Sequence, residues 1–516
     1  MSGAGTFYVT TPIYYVNDKP HIGHAYTTLA CDVLARFKRQ DGFDVKFLTG
    51  TDEHGQKVEK SAEAAGMEPK ALADMNSANF RELARILGCS NDDFIRTTEP
   101  RHTQACQALW NTLVERGEIY LGHYEGWYSV RDEAFYAEDE LITLPGGKKQ
   151  APTGAPVEWV KEPSYFFKLS AWQDRLLAWY DANPDCVAPA SRRNEVMSFV
   201  KGGLQDLSVS RTSFKWGIPV PGDEAHVMYV WLDALTNYIT ALGYPDTQGD
   251  FARYWPSALH MVGKDIVRFH AVYWPALLMA AGLEPPRRVF AHGWWTNEGQ
   301  KISKSVGNVI DPLTLIETYG LDQVRFFMLR EVPFGNDGDY SHRAMVGRMN
   351  SELANDYGNL VQRVLSMIGK NCAGAVPQAG EASDDDRVML GAAHGLLERL
   401  RESLDKQLFH EALEAIWLVV RAANGYVDHQ APWTLKKTDP ARMNSVLWVL
   451  AETIRSLALA TLPFMPSASG RILDQLAIPE EERTYAAFGP AYALKPGTAL
   501  PVPQGVFPRF VEEAAP

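Results

Sequence analysis

The chain has 516 residues, of which 46% are hydrophobic and 22% are charged, with a formal net charge of −13 and five cysteines. These numbers are typical of a globular protein of about three domains, and the acidic balance argues against a protein that coats nucleic acid non-specifically. Because the sequence contains no C-x-x-C pair, no apolar run of membrane-spanning length and no secretory signal, it indicates no disulfide framework, thiolate zinc site or membrane span, and we expect a cytoplasmic protein.

Strands and helices alternate in the first part of the chain, residues 1–117. In order, the pattern predicts a strand at 6–10, an amphipathic helix at 25–40, a strand at 44–48, helices at 56–65 and 69–87, a strand at 94–98 and a helix at about 100–116. This alternation predicts a Rossmann-like parallel sheet with helices on its faces. Ligands of such sheets bind at the carboxyl ends of the strands, where His21 to His24 and Asp52 lie.

The pattern changes at Glu118. Short alternating segments separated by turns predict an inserted, partly β domain over residues 118–227, with a helix at 164–180. The parallel-sheet pattern resumes over residues 228–290, with strands predicted at 228–231, 258–263 and 289–293 and a helix at 265–281. The α/β sheet domain is therefore predicted to be split by the insertion.

Long amphipathic helices dominate the last part of the chain, residues 346–516, after a connecting segment at 291–345. They are predicted at 343–369, 384–405, 409–430 and 441–460. A linker-like segment at 373–386 and a proline-rich tail from Leu494, expected to lie along the surface, complete an α-helical C-terminal domain.

A short motif, His21-Ile22-Gly23-His24, lies between the first strand and the first helix. A helix N-terminus offers unpaired N–H groups and a positive dipole end, so it suits an anion. Gly23 lets a ligand approach the backbone, and two histidines can donate hydrogen bonds to a phosphoryl group. Local capping or packing is the other interpretation of this pair.

A second motif, Lys301-Ile302-Ser303-Lys304-Ser305, places two lysines in a loop rich in glycine, asparagine and serine. Lysine is a mobile point charge, suited to phosphates whose charge moves during a reaction. A basic loop can also be a simple solvated surface. Together, in this order and context, the two motifs resemble the paired signatures of class I aminoacyl-tRNA synthetases.

Further motifs narrow this resemblance. They are residues 9–24, Tyr229-Val-Trp-Leu-Asp-Ala234, Gly263-Lys-Asp-Ile-Val-Arg-Phe-His270 and Gln430-Ala-Pro-Trp433. With them, the chain resembles the methionyl-tRNA synthetase family along nearly its whole length. The resemblance implies a ligase that uses ATP and substrate-bound Mg²⁺ to form methionyl-adenylate and pyrophosphate. It then transfers L-methionine to the 3′-terminal adenosine of tRNA(Met), for translation initiation and elongation.

The family's methionine pocket corresponds to a set of mostly apolar and aromatic residues. They are Ile13, Tyr15, Trp231, Ala234, Tyr238, Ile266, His270 and Trp274. A thioether packs well against aromatic edges, although any one of these residues, taken alone, would sooner be core. Asp52 would bind the substrate's ammonium by a charge-assisted hydrogen bond, and capping the following helix is its alternative role. Leu235 and Pro12 depart from the family pattern.

The resemblance also assigns residues to ATP. They are His21, Gly23, His24, Asp265, His292, Gly293, Lys301, Ser303 and Lys304. The two histidines and the two lysines would be the catalytic residues, stabilising charge on the transferring phosphorus and the leaving group. Arg211 and Asp265 are weaker candidates for the polar network around the amino group and ATP, for which structural salt bridges are nearly as plausible.

The insertion departs from many members of the family. Ser129 and Asp132 stand where zinc-binding cysteines would be expected, so we expect no zinc and no other protein-bound metal, with hydrogen bonds or packing in its place. The insertion, about 110 residues long, is shorter than the editing insertions of the related valine, isoleucine and leucine enzymes. We therefore expect no separate editing domain.

In the family, the helical domain binds the CAU anticodon, and the matching residues here are Asn359, Arg363 and Trp433. An amide and a guanidinium can contact base edges, while an indole can stack a base. For Trp433 the alternative is a buried position at a helix end. No C-terminal dimerisation module follows Arg509, so we expect a monomer. Two other functions remain open: a class I synthetase for valine or isoleucine, and a catalytically silent paralogue that binds tRNA or another protein.

Overall fold

The structure is a computed structural model that describes residues 5–17, 19–132, 134–302 and 307–512, except for the side chains of residues 134 and 135. The chain divides into two compact units. The first, which we call the sheet unit, comprises residues 6–20 and 46–292. The second, the helical unit, comprises the described residues of 1–5, 21–45 and 293–516.

The strands, in chain order, are β1 (Thr6–Thr10), β2 (Tyr14–Tyr15), β3 (Asp44–Asp52), β4 (Asp93–Arg96), β5 (Ile119–Ser129), β6 (Ala134–Tyr136), β7 (Ile142–Thr143), β8 (Lys149–Gln150), β9 (Glu158–Phe167), β10 (Val187–Ala188), β11 (Leu207–Ser208), β12 (Ser210–Arg211), β13 (Pro219–Val220), β14 (Asp223–Met228), β15 (Ala258–Gly263), β16 (Arg288–His292), β17 (Trp295–Asn297), β18 (Gln300–Lys301) and β19 (Gly338–Tyr340).

The α-helices are α1 (Ile22–Gln40), α2 (Gln56–Ala64), α3 (Pro69–Ile86), α4 (Pro100–Glu115), α5 (Gln173–Ala182), α6 (Ala190–Lys201), α7 (Val230–Thr240), α8 (Gly249–Tyr254), α9 (Trp274–Ala280), α10 (Pro312–Tyr319), α11 (Leu321–Arg330), α12 (His342–Arg348), α13 (Asn359–Asn371), α14 (Asp384–His394), α15 (Leu396–Asp405), α16 (Phe409–Gln430), α17 (Pro432–Thr438), α18 (Pro440–Thr461) and α19 (Pro466–Gln475). Short 3₁₀ segments include Leu169–Trp172 and Lys264–Ile266, and π-helical turns span Phe269–Tyr273 and Met349–Gly358.

The main sheet of the sheet unit has seven strands in the order β10-β16-β15-β1-β3-β2, with β4 pairing β3. The pairings of β1 with β15, β15 with β16, β2 with β3, β3 with β4 and β10 with β16 are all parallel. Gly263 lies opposite His292, and Tyr15 opposite Asp52, so the carboxyl ends of these strands meet at one edge. The predicted Rossmann-like parallel sheet is confirmed.

The inserted domain is partly β, as predicted. Its long strands β5 and β9 pair antiparallel within a four-stranded sheet of order β11-β9-β5-β6. The helix predicted at 164–180 is wrong over its first part, because β9 continues to Phe167 and α5 begins only at Gln173. Cross-strand pairing of Ile119 with Phe167 extends the strand where the apolar spacing alone favoured a helix.

The strand predicted at 228–231 is also wrong. Strand β14 ends at Met228, and helix α7 begins at Val230. Nearly every residue of α7 is buried, so its sequence lacks the polar face that would distinguish a helix from a strand buried on both sides.

The predicted helix at 265–281 is interrupted rather than continuous. A 3₁₀ segment and the π turn Phe269–Tyr273 precede α9, in which Pro275 follows Trp274. Pro275 has no N–H to donate to the preceding turn. The Tyr180 hydroxyl donates to the Ala271 carbonyl at 2.6 Å instead, so this acceptor is satisfied.

The helical unit follows the predicted pattern with finer breaks. A continuous helical run from His342 to Asn371 contains a π segment, and the predicted helix 384–405 divides at Gly395. The proline-rich tail lies less superficially than expected, since Val506 and Phe507 are buried. Among the described residues, no helix has both the length and the apolar composition needed to cross a membrane.

Candidate functional site

A cavity of about 170 Å³ lies in the sheet unit, at the carboxyl end of the main sheet. Eight of the nine residues predicted to bind methionine line it, all except Trp274. They are Ile13, Tyr15, Asp52, Trp231, Ala234, Tyr238, Ile266 and His270, joined by Pro12, Val230 and Leu235. The lining is mostly apolar, and its polar groups are a carboxylate, two tyrosine hydroxyls, an indole N–H and an imidazole. Such a lining suits an apolar ligand that carries one positive charge.

The Asp52 carboxylate enters the cavity from the end of β3 and is 6% exposed. The alternative of helix capping is not realised, because α2 has Gly55 at its N-cap and no side-chain cap hydrogen bond. A buried carboxylate in an apolar cavity favours a cation, since a charge-assisted hydrogen bond offsets its desolvation.

Hydrogen bonds fix the tautomer of His270. Its Nδ1 lies 2.9 Å from the Ile266 carbonyl, which can only accept, so Nδ1 carries the proton. Nε2 therefore accepts from the Tyr238 hydroxyl at 2.7 Å. Burial lowers the pKa of His270 to about 4, so the imidazole is neutral at physiological pH and the cavity presents no positive charge there.

A second buried histidine supports these rings from behind. Trp274 donates from Nε1 to His260 Nε2 at 3.3 Å, so His260 donates from Nδ1 to the Thr10 hydroxyl at 2.8 Å. The His260 ring stacks on Tyr238 with centroids 4.0 Å apart. Trp274, predicted to line the pocket, is instead fully buried in this supporting position against His260.

The aromatic wall of the cavity is held by stacking. The ring centroids of Trp231 and Phe269 are 3.4 Å apart with an interplanar angle of 10°. Leu235 and Pro12, the two departures from the family pattern, both line the cavity, and Val230 was missed by sequence reasoning. Arg211 does not line it: the guanidinium is buried, donates to the Ser208 hydroxyl and lies 3.7 Å from the Tyr229 ring centroid.

Two residues predicted to bind ATP lie at the carboxyl ends of adjacent strands in the sheet unit. His292 ends β16 and is 4% exposed, while Asp265 follows β15 within the segment Lys264–Ile266. Gly263 lies opposite His292, and a Cβ atom at Gly263 would lie 2.5 Å from Asp265 Oδ1. The absence of a side chain at Gly263 therefore allows the carboxylate to approach the backbone.

In the helical unit, the histidine motif forms the first turn of α1. The helix begins at Ile22, three residues earlier than predicted, and His21 is its N-cap. His21 Nδ1 accepts from the Gly23 N–H at 3.1 Å, and His24 Nδ1 accepts from the His21 N–H at 3.1 Å. Each ring therefore carries its proton on Nε2 when neutral. Burial, and then the neighbouring His21, hold the pKa of His24 well below its ordinary value.

This geometry realises the capping interpretation of the motif, while the phosphate-binding interpretation stays a prediction. The Nδ1 atoms accept from helix N–H groups, so in the neutral rings the proton is on Nε2. A Cβ atom at Gly23 would lie 3.0 Å from His21 Cε1, which explains why glycine separates the two histidines. The Ile22 N–H donates to the Ile310 carbonyl at 3.1 Å, which ties the start of α1 to the segment after the lysine loop.

Part of the lysine loop is described. Lys301 ends β18 with an exposed side chain, and its ammonium lies 5.7 Å from the Trp294 ring centroid. Asn308 donates to the Lys301 carbonyl at 3.1 Å, which closes the base of the loop. Ser303 and Lys304 lie outside the described residues. A Cβ atom at Gly293 would lie 2.2 Å from the Asn336 carbonyl oxygen, so only glycine fits there.

The three residues predicted to contact an anticodon lie on two helices of the helical unit. Asn359 and Arg363 belong to α13, and Trp433 to α17. The Arg363 guanidinium lies 5.6 Å from the Trp433 ring centroid and donates to Asp428 at 3.1 Å. Trp433 is 46% exposed, so the alternative of a buried helix-end residue is wrong.

Comparisons with known proteins show the family of this chain. A family model described as tRNA synthetases class I (M) matches residues 7–365, and one described as the anticodon binding domain of methionyl tRNA ligase matches residues 376–515. A methionine–tRNA ligase of Mesorhizobium japonicum is 61% identical over 98% of both chains. The chain belongs to the methionyl-tRNA synthetase family.

Solved structures of this family are similar throughout. A Mycobacterium tuberculosis methionyl-tRNA synthetase in complex with methionyl-adenylate has 55% identity and a TM-score of 0.95, covering 98% of this chain and all of that one. The apo form of the same organism's enzyme has 52% identity and a TM-score of 0.90, covering 99% of both chains.

The region where many members of the methionyl-tRNA synthetase family have a zinc knuckle is held by hydrogen bonds. Ser129 Oγ accepts from the Asp132 N–H at 3.2 Å. The Asp132 carboxylate accepts from Tyr136 at 2.9 Å and from Thr153, which joins the two halves of the region. Burial tends to raise the pKa of Asp132, but the hydrogen bonds from Thr153 and Tyr136 lower it overall, so the carboxylate stays ionised as an acceptor.

Sequence reasoning missed one polar cluster beside the cavity. The Asp233 carboxylate is fully buried and lies between His54 and His102. Two of the three residues lie beside predicted site residues in the sequence, since Asp233 belongs to the Tyr229–Ala234 motif and His54 follows Asp52 by two positions. Their proximity depends on the tertiary fold, because His102 is contributed by α4.

Proposed function

We propose that the cavity of the sheet unit binds the side chain of L-methionine and that Asp52 binds its ammonium. The chain is a methionine–tRNA ligase: it activates methionine with ATP, releasing pyrophosphate, and transfers methionine to tRNA. The observation that carries the site assignment is the cavity itself, in which aromatic and aliphatic walls surround a single buried carboxylate. Family membership supplies the reaction class, and the cavity supplies the residues.

The walls of the cavity suit a thioether. Trp231, Tyr238 and Ile266 offer polarizable contacts, and a sulfur atom packs favourably at aromatic edges. The Tyr238 hydroxyl donates to His270 Nε2, so the hydrogen of this hydroxyl is already used within the protein. A side chain that needs further hydrogen bonds would leave buried groups unpaired, and a shorter branched side chain would leave space unfilled.

We assign the triphosphate to four residues of the helical unit. His21 and His24 would donate from Nε2, and Lys301 and Lys304 would neutralise charge on the phosphates. His292, Gly293, Asp265, Gly23 and Ser303 complete the proposed ATP set. Mg²⁺, expected on the ATP phosphates through substrate oxygens and water, would supply further charge neutralisation.

The chemistry proceeds in two displacements. The methionine carboxylate attacks the α-phosphorus of ATP, the bond to the β-phosphate oxygen breaks, and pyrophosphate leaves. A ribose hydroxyl of the terminal adenosine of tRNA then attacks the activated carbonyl, and AMP leaves. The protein positions the reactants and stabilises developing negative charge, for which each lost donor typically costs on the order of a hundred- to a thousandfold in rate.

For tRNA, we propose that Arg363 and Asn359 contact anticodon base edges while Trp433 stacks a base. The exposed indole beside a guanidinium supports this assignment, since such pairs bind unstacked bases. We further propose that the knuckle region functions without zinc, because serine and aspartate replace thiolates and the carboxylate already has protein donors. One zinc ion per purified chain, measured by elemental analysis, would refute this part.

Methionine-dependent exchange between ATP and pyrophosphate tests the proposal. The purified protein is assayed with each of the twenty amino acids separately, without tRNA. We expect strong exchange with methionine alone. Exchange with valine or isoleucine would refute the assignment of the cavity, and a well-folded protein that supports no exchange with Mg²⁺ present would be a silent paralogue.

A further inference from the structure

A buried carboxylate lies directly behind the proposed methionine site. Asp233 belongs to α7, one residue before Ala234 and two after Trp231, both of which line the cavity. Its side chain is fully buried, and its two oxygen atoms accept from different histidines. Oδ2 accepts from His54 Nδ1 at 2.7 Å, and Oδ1 accepts from His102 Nε2 at 2.8 Å.

Hydrogen bonds hold the His102 ring against α7 at two positions. Its Nε2 donates to Asp233, because a carboxylate has no proton to give. Its Nδ1 lies 3.2 Å from the Thr240 hydroxyl, which also donates to the Thr236 carbonyl at 2.9 Å. His54 is the second donor to the same carboxylate.

The three residues come from three parts of the sheet unit. His54 follows β3 and lies two residues after Asp52, His102 belongs to α4, and Asp233 belongs to α7. The His54 ring also meets Trp216 edge to face, with centroids 5.3 Å apart. The network therefore connects the backbone that carries the ammonium-binding carboxylate to the helix that carries the aromatic wall.

The alternative interpretation of this cluster is a metal site, with His102, Cys106 and Asp233 as ligands. Cys106 Sγ lies 3.3 Å from His102 Nε2. Tetrahedral zinc with nitrogen and oxygen ligands at about 2.0–2.2 Å separates those ligands by roughly 3.3 Å. The 2.7 and 2.8 Å separations at Asp233 are instead those of charge-assisted hydrogen bonds. Burial tends to raise the pKa of Asp233, but the two histidines lower it to about 2, so the carboxylate is ionised.

We infer that His54, Asp233 and His102 are positioning residues that set the distance between Asp52 and the wall formed by Trp231 and Ala234. This inference rests on the proposed methionine site and deepens it. None of the three side chains lines the cavity, so they act through the residues that do. Loosening the network should weaken methionine recognition selectively, because a displacement of about 1 Å at a binding group can cost on the order of a hundredfold.

The test measures the KM values for methionine and ATP in the pyrophosphate-exchange reaction of Asp233→Asn. Asp386→Asn is the matched control, because Asp386 is also a buried carboxylate that joins two donors, Tyr426 and Arg442, but within the helical bundle. We expect the KM for methionine to rise about tenfold or more in Asp233→Asn. The KM for ATP should change less than about threefold, and Asp386→Asn should change neither.

Further variants keep the inference testable. If Asp233→Asn does not fold, His54→Gln is the second variant, because glutamine keeps a hydrogen-bond donor at this position. It should show a smaller rise in the KM for methionine, again with little change in the KM for ATP. In the double variant of His54 and Asp233 the effects should be less than additive, since both act through one network.

An unchanged KM for methionine in folded Asp233→Asn, or equal rises for both substrates, would overturn the inference. So would one divalent ion per wild-type chain that is lost in Cys106→Ala. Wild-type protein that supports no methionine-dependent exchange would instead refute the proposed function.

Discussion

His21 caps helix α1 and is also proposed to bind phosphate, and asparagine could replace it only as the helix cap. As N-cap of α1, its Nδ1 accepts from a helix N–H, and its Nε2–H is the proposed phosphate donor. Asparagine is among the best N-cap residues, so His21→Asn should leave stability nearly unchanged. It should still lower the exchange rate on the order of a hundred- to a thousandfold. Thermal unfolding and steady-state exchange measure the two effects.

His21→Ala is the matched control for that experiment. It removes both functions, so it should lose about 1 kcal/mol of stability in addition to the same loss of rate. If His21→Asn exchanged pyrophosphate at the wild-type rate, the ring would be a helix cap and nothing more.

His270 makes stability depend on pH. In the unfolded chain a histidine takes up its proton near pH 6.5, but burial holds the pKa of His270 in the folded protein at about 4. The unfolded state therefore binds more protons between these values, and stability is lost as the pH falls through this window. From pH 7 to pH 5 the loss attributable to His270 is about 2 kcal/mol.

His270→Gln removes this titration while keeping an amide that can meet Tyr238. The variant should lose about 2 kcal/mol less than wild type between pH 7 and pH 5, measured by urea unfolding at both values. Equal losses in the two proteins would show that His270 is not held neutral by the fold.

The tautomers of these histidines could not be predicted from the sequence. The motifs indicated that His21, His24 and His270 matter, but the direction of each proton depends on carbonyls and hydroxyls brought close by folding. For His270 the deciding partners are the Ile266 carbonyl and the Tyr238 hydroxyl. Only the first of these is near it in sequence.

At the scale of elements, Gly293 marks a close approach of two backbone segments. A Cβ atom there would lie 2.2 Å from the Asn336 carbonyl oxygen, a contact that the backbone cannot relieve without moving. Gly293→Ala should destabilise the protein by roughly 1–3 kcal/mol or more and lower exchange activity. Thermal unfolding of the helical unit and the exchange assay report both.

Gly347→Ala is the control for this prediction, because Gly347 lies in helix α12 with no atom within 4 Å of its added Cβ. Alanine there should be neutral or stabilise by up to about 1 kcal/mol. Comparable losses in both variants would mean that the close approach at Gly293 does not constrain the protein.

The spacing of apolar residues predicted the strands and helices that have one buried and one exposed face. It failed for elements that are buried on all sides. Helix α7 has almost no exposed residue, so its apolar run resembled a strand. The break before α9 follows from Pro275, whose missing donor is compensated by Tyr180 from a distant part of the chain. Both errors arise because tertiary packing decides between local alternatives of similar free energy.

At the scale of the whole molecule, replacing one surface residue should affect the transfer of methionine to tRNA without affecting the activation of methionine by ATP. Trp433 is 46% exposed, so its removal costs little packing. If it stacks an anticodon base, Trp433→Ala should raise the KM for tRNA(Met) by about tenfold or more, since such stacking is worth about 1–3 kcal/mol. Methionine-dependent exchange, which needs no tRNA, should be unchanged.

Tyr492→Ala is a suitable control, because Tyr492 is another exposed aromatic of the helical unit, at 44%. It should alter neither reaction. A Trp433→Ala protein that charged tRNA normally would exclude the proposed stacking contact.

The fold class and most cavity residues could be predicted from the sequence. The family motifs lie near the carboxyl ends of parallel strands, where residues that are distant in sequence come close together. Ile13, Asp52, Trp231 and His270 lie in or after four different elements and meet at one cavity. The sequence could not indicate that Asp233 would meet His54 and His102, since no spacing rule relates them. Nor could it indicate that Trp274 would support the cavity from behind rather than line it.

The most direct test of the central claim is calorimetric titration of L-methionine into wild type and Asp52→Asn. The assigned cavity predicts that wild type binds one methionine per chain and that the variant binds it about ten- to a hundredfold more weakly, because the ammonium loses a charge-assisted partner. Equal affinity in the two proteins would contradict the assignment of Asp52 and of the cavity it lines.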